Sequence, residues 1–190
     1  MSIYDKIGST YNSMRSSNIG IKDILNEVNM LGNKIKVLDL GCGTGHPIAK
    51  AISPIVKEYC GIDNSQPMLD AYLKNVQNAD CKLMDMLDID QISGKWDFIF
   101  SWGAICHLPI ELQKKTMTVV SGLLKPEGRF LFTGGKEADE CTGRVGEYTV
   151  NHYSMGESAY KTFLSEQGLD LIKASFSDGN NYVYVFEKGT

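Results

Sequence analysis

The sequence predicts an α/β protein built on a mostly parallel sheet that closes with an antiparallel hairpin. Short apolar runs recur along the chain at intervals that leave room for a helix between each pair. The first of them ends directly in a cluster of glycines, and the last two are joined by the five-residue turn Ser177-Asp178-Gly179-Asn180-Asn181. A connection that short, rich in Gly and Asn, joins antiparallel neighbours, whereas the longer connections before it fit parallel strands with crossovers.

Taken in order, residues 35–40, 59–62, 81–84, 98–101 and 129–133 are short, mostly apolar runs and read as parallel strands buried on both faces. Ser65 with Pro67 opens a helix running through Ala71 and Leu73. Pro109 precedes another, in which Leu112, Met117, Val120 and Leu123 fall near helical spacing, and Lys125-Pro126-Glu127-Gly128 ends it. Residues 158–167 form a last helix stopped by Gly168, after which 169–176 and 182–186 are the hairpin strands. About 1–34 is expected to be an N-terminal helical cap, and 134–155 an excursion between a central strand and the last helix.

Composition bounds the function. At 190 residues the chain is expected to be one domain, and 43% hydrophobic with 22% charged residues excludes disordered, collagenous and disulfide-stapled classes. Met1-Ser2-Ile3-Tyr4-Asp5-Lys6 does not open a secretory signal, and no apolar stretch approaches the roughly 18 residues that span a bilayer. Cys42, Cys60, Cys81, Cys106 and Cys141 are odd in number and contain no C-x-x-C pair. That points to a cytoplasmic protein without disulfides or a zinc motif. A net charge of −4, with arginines only at Arg15, Arg129 and Arg144, gives no polyphosphate footprint, so nucleic acid and membrane are not expected partners. No motif sets an oligomeric state.

The segment richest in chemistry is Val37-Leu38-Asp39-Leu40-Gly41-Cys42-Gly43-Thr44-Gly45, an apolar strand running into three alternate glycines. Backbone without Cβ atoms lets a ligand approach closely. A dinucleotide fingerprint needs a third glycine at position 46, where His46 stands, so that pattern fails.

This G-x-G-x-G strand end resembles the first motif of the class I S-adenosylmethionine-dependent methyltransferases. The resemblance continues with Gly61-Ile62-Asp63, which places Asp63 18 residues after Gly45, then with Asp85-Met86 after the third strand. Trp96-Asp97-Phe98-Ile99-Phe100-Ser101 and Leu123-Leu124-Lys125-Pro126-Glu127-Gly128-Arg129-Phe130 are similar to the family's fourth- and fifth-strand motifs. Five motifs in order over about 35–135 imply a Rossmann-like seven-stranded sheet with helices on both faces, and S-adenosyl-L-methionine as cofactor. They also imply a cofactor shell of Gly41, Cys42, Gly43, Gly45, Asp63, Asn64, Asp85, Met86 and Ser101. In it Asp63 takes both ribose hydroxyls and Asp85-Met86 contacts adenine through a carboxylate and a backbone N–H. An ionised carboxylate accepts hydrogen bonds only, which suits Asp63 to two adjacent hydroxyls better than an amide; otherwise it caps a helix. Asp39 either orients the glycine loop or reaches the methionine amino group through water. Tyr4-Asp5, Tyr11 and Arg15 are similar to a lead-in covering the methionine end, where a guanidinium can pair with the cofactor carboxylate.

Methyl transfer is an in-line displacement in which positioning supplies much of the rate, on the order of 7 to 11 kcal/mol, and no catalytic metal is required. A base matters only where the acceptor must lose a proton. His107, after the fourth strand, is either a structural imidazole bonded to backbone or that base. His152-Tyr153, in the excursion, are candidates for contact with the acceptor, and 134–155 is the expected lid over it. His46, at a helix start where the dipole disfavours imidazolium, reads as structural. Glu137, Asp139, Glu140 and Glu147 against Lys136 and Arg144 favour a neutral or cationic small molecule as acceptor. The competing readings are a non-catalytic cofactor-binding or regulatory subunit and a protein or RNA methyltransferase.

Overall fold

The computed structural model of the chain describes residues 3–7, 19–77 and 79–190. Its elements run α1 (Ile3–Ile7), α2 (Ile21–Leu31), β1 (Lys36–Leu40), α3 (Ile48–Ile52), β2 (Glu58–Asp63), α4 (Gln66–Asn75), β3 (Asp80–Leu83), β4 (Trp96–Ser101), α5 (Ile110–Leu123) and β5 (Leu124–Gly134). There follow β6 (Ala138–Val145), β7 (Tyr148–Met155), α6 (Glu157–Glu166), β8 (Leu169–Phe176) and β9 (Tyr182–Lys188). Single 3₁₀ turns cover Ser53–Ile55, Met86–Gln91 and Ile105–His107.

Seven strands form one sheet in the order β3-β2-β1-β4-β5-β9-β8. Pairings are parallel from β3 to β5, and β9 runs antiparallel to both of its neighbours. This is the α/β architecture that the sequence predicts. The period-2 alternation of strand side chains sorts the core into two layers. Leu38, Ile99, Phe130, Phe132, Tyr184 and Phe186 face one side, where Met117 and Val120 of α5 and Tyr160 and Leu164 of α6 pack on them. Val37, Phe98, Phe100, Leu131, Val183 and Val185 face the other, under Ile24 and Val28 of α2, Ile48 and Ile52 of α3, and Leu69 and Tyr72 of α4. Arg129 of β5 ties α2 to the sheet on this second face, donating to Glu27 of α2 at 2.8 Å and to Glu187 of β9 at 2.9 Å. Removing one partner of so enclosed a set costs about 3–5 kcal/mol.

Three segments differ from the sequence reading. β3, read as buried on both faces, is an edge strand and is largely exposed, because it pairs only with β2. Residues 124–128, read as a helix stop, already belong to β5. The register slips between Trp96 and Phe98, Glu127 takes φ 62°, and Lys125 bonds Asp97 with both carboxylate oxygens at 2.7 and 2.8 Å, so polar side chains absorb the irregularity. The excursion at 134–155 contains a two-stranded antiparallel ribbon, β6–β7, outside the main sheet. Most of β6 is exposed, so neither of its faces carries the apolar alternation by which a strand is read.

Candidate functional site

The strand order reverses between β1 and β4, which pair with each other while their chain neighbours lie on opposite sides. In open α/β sheets a crevice forms at the carboxyl ends of the strands at such a point. A cleft opens there, walled by Gly41 and Gly43 after β1, Asp63 and Asn64 after β2, Asp85 and Met86 after β3, and Trp102, Gly103 and Ala104 after β4. Ile62, Met68, Met84 and Leu108 add an apolar surface, and Tyr4 of α1 closes one side against His107.

The carboxylates are held by backbone. Asp63 accepts from Gly43 N–H and from Ser65 N–H, each at 2.9 Å, so one side chain fixes the glycine loop to the end of β2. Burial holds its pKa above the usual carboxylate value, against the opposing effect of those N–H groups. Each oxygen keeps a lone pair for a further donor. Asp85 caps the Met86–Gln91 turn through Leu87 N–H at 3.0 Å and accepts from Asn64 at 3.2 Å. Two neighbouring strand ends therefore present carboxylates to one cleft.

The three glycines of the loop have different reasons. A Cβ on Gly43 would meet nothing within 4 Å, because it would project into the cleft. A Cβ on Gly45 would lie 2.4 Å from Val76 Cγ2 and 2.7 Å from Tyr72 Cδ2, so this glycine is required by packing. Gly45 does not line the cleft, and neither do Cys42, Asp39 or Ser101. Cys42 is buried beneath Gly61, and burial pushes its thiol pKa well up. Asp39 is buried under the loop and accepts from Tyr59 Oη at 2.8 Å. The hydroxyl of Ser101 is used within the protein, donating to Leu40 O and accepting from Ile105 N–H, both at 3.0 Å. These four residues lie behind the wall of the cleft. Tyr11 and Arg15 lie outside the described residues.

His107 is tethered at both ring nitrogens: Nδ1 donates to Asn151 O and Nε2 faces Tyr4 Oη, each at 2.9 Å. It packs on His152 with ring centroids 4.6 Å apart. His152 and Tyr153 line a second cavity under the ribbon, together with Cys106, Thr133, Gly134 and Cys141. Gly103 borders both spaces, so the cavity abuts the cleft at the turn after β4. The sequence reading missed Trp102, Gly103 and Ala104 as site residues, although their place just beyond a parallel strand was a usable signal. It also missed Met68 and Met84, which read as ordinary core.

A family model described as "Methyltransferase domain" matches residues 37–128, from β1 into β5. An uncharacterised protein of Rickettsia prowazekii is 32% identical over 102 residues, 49% of this chain and 40% of that protein. An uncharacterised methyltransferase of Schizosaccharomyces pombe is 32% identical over 119 residues, 56% of this chain and 42% of that one. The matched stretches thus span about two fifths of these relatives. Across nearly the whole chain the fold is shared with an amino pentose methyltransferase from Micromonospora echinaspora solved with S-adenosylmethionine bound. The TM-score is 0.76 at 12% identity, covering 99% and 97% of the two chains.

Proposed function

We propose that the chain, whose match to the methyltransferase-domain family model over residues 37–128 and whose fold support a place among the class I S-adenosylmethionine-dependent methyltransferases, methylates a small-molecule acceptor seated in the cavity under the β6–β7 ribbon. The observation that carries this reading is the abutment of that cavity on the carboxylate-bearing cleft at Gly103.

The residues fit the family's cofactor. Asp63 would hold the ribose hydroxyls, Asp85 and the Met86 backbone the adenine edge, and Met68, Met84 and Met86 its faces, while open space over Gly43 leaves room for the ligand chain. When bound, S-adenosylmethionine supplies an electrophilic methyl on a sulfonium, which the acceptor takes in line. The protein aligns the two partners across the turn after β4, and Gly103 N–H is held in place by donating to Thr133 Oγ1 at 2.8 Å. Tyr153 and His152 face the acceptor. His107, engaged on both sides, positions the ribbon against the turn instead of standing ready as a base.

The small size of the acceptor is supported by the amino pentose methyltransferase whose fold the chain shares. Calorimetry with S-adenosylmethionine and its demethylated product tests the cleft. Incubation with metabolite extracts, followed by mass spectrometry for the gain of one methyl, tests the reaction. Tight binding without any methylated product would reduce the protein to a cofactor-binding module.

A further inference from the structure

Three metal-ligating side chains converge where the cleft meets the cavity. The Sγ of Cys106 and one ring nitrogen each of His107 and His152 lie within 4.8 Å of one another. Their spacing in the chain, an adjacent pair and a partner 45 residues on, matches no zinc motif, so the sequence gives no sign of them. The cluster exists because β7 packs on the Ile105–His107 turn. We propose that Cys106, His107 and His152 form a three-ligand site for zinc, with the fourth position open to the cavity under the ribbon.

The donor set selects the ion. One thiolate and two imidazoles suit zinc, whereas magnesium and calcium take oxygen. Three protein ligands with one open position is the arrangement of exchangeable zinc centres, as opposed to the closed four-ligand structural kind. Zinc bonds of about 2.0–2.3 Å put ligand atoms about 3.3–3.6 Å apart, so side-chain rotations of roughly an ångström complete the site.

The surroundings are already those of ligands. Ligating imidazoles as a rule bond their second nitrogen to a carbonyl or other polar partner, which fixes the ring. His107 has such a partner on each nitrogen, so coordination takes one and leaves the other in place. His152 makes no hydrogen bond among the described residues, and Gly143 gives its ring room, since a Cβ there would fall 2.5 Å from Cε1. Binding zinc would release the Cys106 thiol proton to solvent as the S–Zn bond forms. A bound ion would join the ribbon to the turn after β4, beside the reacting groups.

The test uses the full chain stripped with a chelator. Zinc is titrated against a chromophoric chelator, and cobalt(II) is added separately as a spectroscopic probe. One zinc per chain is expected, with a sulfur-to-cobalt charge-transfer band and the intense visible bands of a four-coordinate ion. His152→Asn and Cys106→Ser should each weaken zinc by about tenfold or more, and Cys106→Ser should remove the charge-transfer band. Calorimetry with the demethylated cofactor shows whether each variant is folded. Cys141→Ser, across the ribbon from His152 in the Cys141↔His152 pair, should bind zinc as wild type does. Absence of zinc binding by the wild-type chain would overturn the site, as would a cobalt spectrum without the sulfur band. Loss of zinc in Cys141→Ser equal to that in Cys106→Ser would overturn the open position. None of these readouts needs a methyl acceptor, so they stand or fall separately from the proposed reaction.

Discussion

The cleft and the ribbon are built by opposite means. Around the cleft, strand ends buried on both faces fix the backbone, and Asp63 and Asp85 are each held by a main-chain N–H. The ribbon lies outside that sheet and is largely exposed along β6, and a few polar side chains hold it. Gln113, fully buried in α5, donates to Leu108 O at 2.8 Å and to Tyr153 O at 2.9 Å and accepts from Tyr160 Oη at 2.7 Å. Ser154 and Tyr184 both donate to Gly135 O. One region is rigid because its scaffold is the core; the other keeps its place through side-chain bonds that can be altered singly. Cofactor recognition and acceptor recognition should therefore separate under mutation.

The sharpest division should come from the glycine loop. Gly43→Val should abolish binding of S-adenosylmethionine while leaving the fold, because the new side chain enters open cleft; the strain at φ 54° adds about 1–2 kcal/mol. Gly45→Val should instead lower the unfolding midpoint steeply, by collision with Tyr72 and Val76. Calorimetry paired with thermal melts reads both, and retained tight binding in Gly43→Val would remove the loop from the cofactor site.

Asp63→Ala comes next. Losing charge-assisted bonds to two hydroxyls should cost about 1.5–3 kcal/mol, roughly ten- to hundredfold in affinity. Analogues lacking the ribose hydroxyls should bind wild type and variant alike, and a variant that still discriminates against them would move the ribose elsewhere.

Gln113→Ala probes the other region. It leaves two carbonyls and a hydroxyl without their partner, at about 1–3 kcal/mol for each buried group that finds no substitute. Amide exchange in the ribbon should quicken and turnover should fall, with cofactor affinity within about twofold of wild type. Parallel losses in affinity and turnover would mean that the two regions are coupled. Tyr153→Ala should act in the same sense more weakly, lowering single-turnover methylation without changing cofactor affinity.

The smallest effect expected is one of pH. Because burial raises the Asp63 pKa, the folded protein binds that proton more readily than the unfolded chain does. This group's contribution to apo stability therefore rises as pH falls through its folded pKa, which lies above the usual aspartate value. Cofactor affinity should move the opposite way, since protonation removes the acceptor that the hydroxyls need. Melts and calorimetry between neutral and mildly acidic pH check the two signs.

The same contrast governs what the sequence made legible. Strand runs and glycines at a strand end leave local marks, so the sheet and its final hairpin were readable from residue types and spacing, while Asp63 and Asp85, which line the cleft, were singled out through the resemblance of the motifs around them. Ser101 and Cys42 stand at motif positions, yet their polar atoms turn inward, and spacing carries no information on which way a side chain turns. Residues 138–145 have no apolar alternation, so their pairing with 148–155 was hidden. The meeting of Cys106 and His107 with His152 is purely tertiary and had no local mark at all.

The position of β9 has a consequence for how the chain reaches this state. It is the last strand in order, yet it sits between β5 and β8, with Tyr182 to Glu187 paired on both sides. Until residues 182–188 arrive, β5 presents a bare edge of unpaired N–H and C=O groups beside Phe130 and Phe132, the kind of edge on which a second chain can nucleate. During synthesis that edge waits while some fifty residues of ribbon, helix and β8 emerge, a delay of about 3–10 s at ordinary translation rates. Such long-range closure is slow by topology. The step that completes the sheet covers the edge of β5 and leaves β3 and β8 as its two edges.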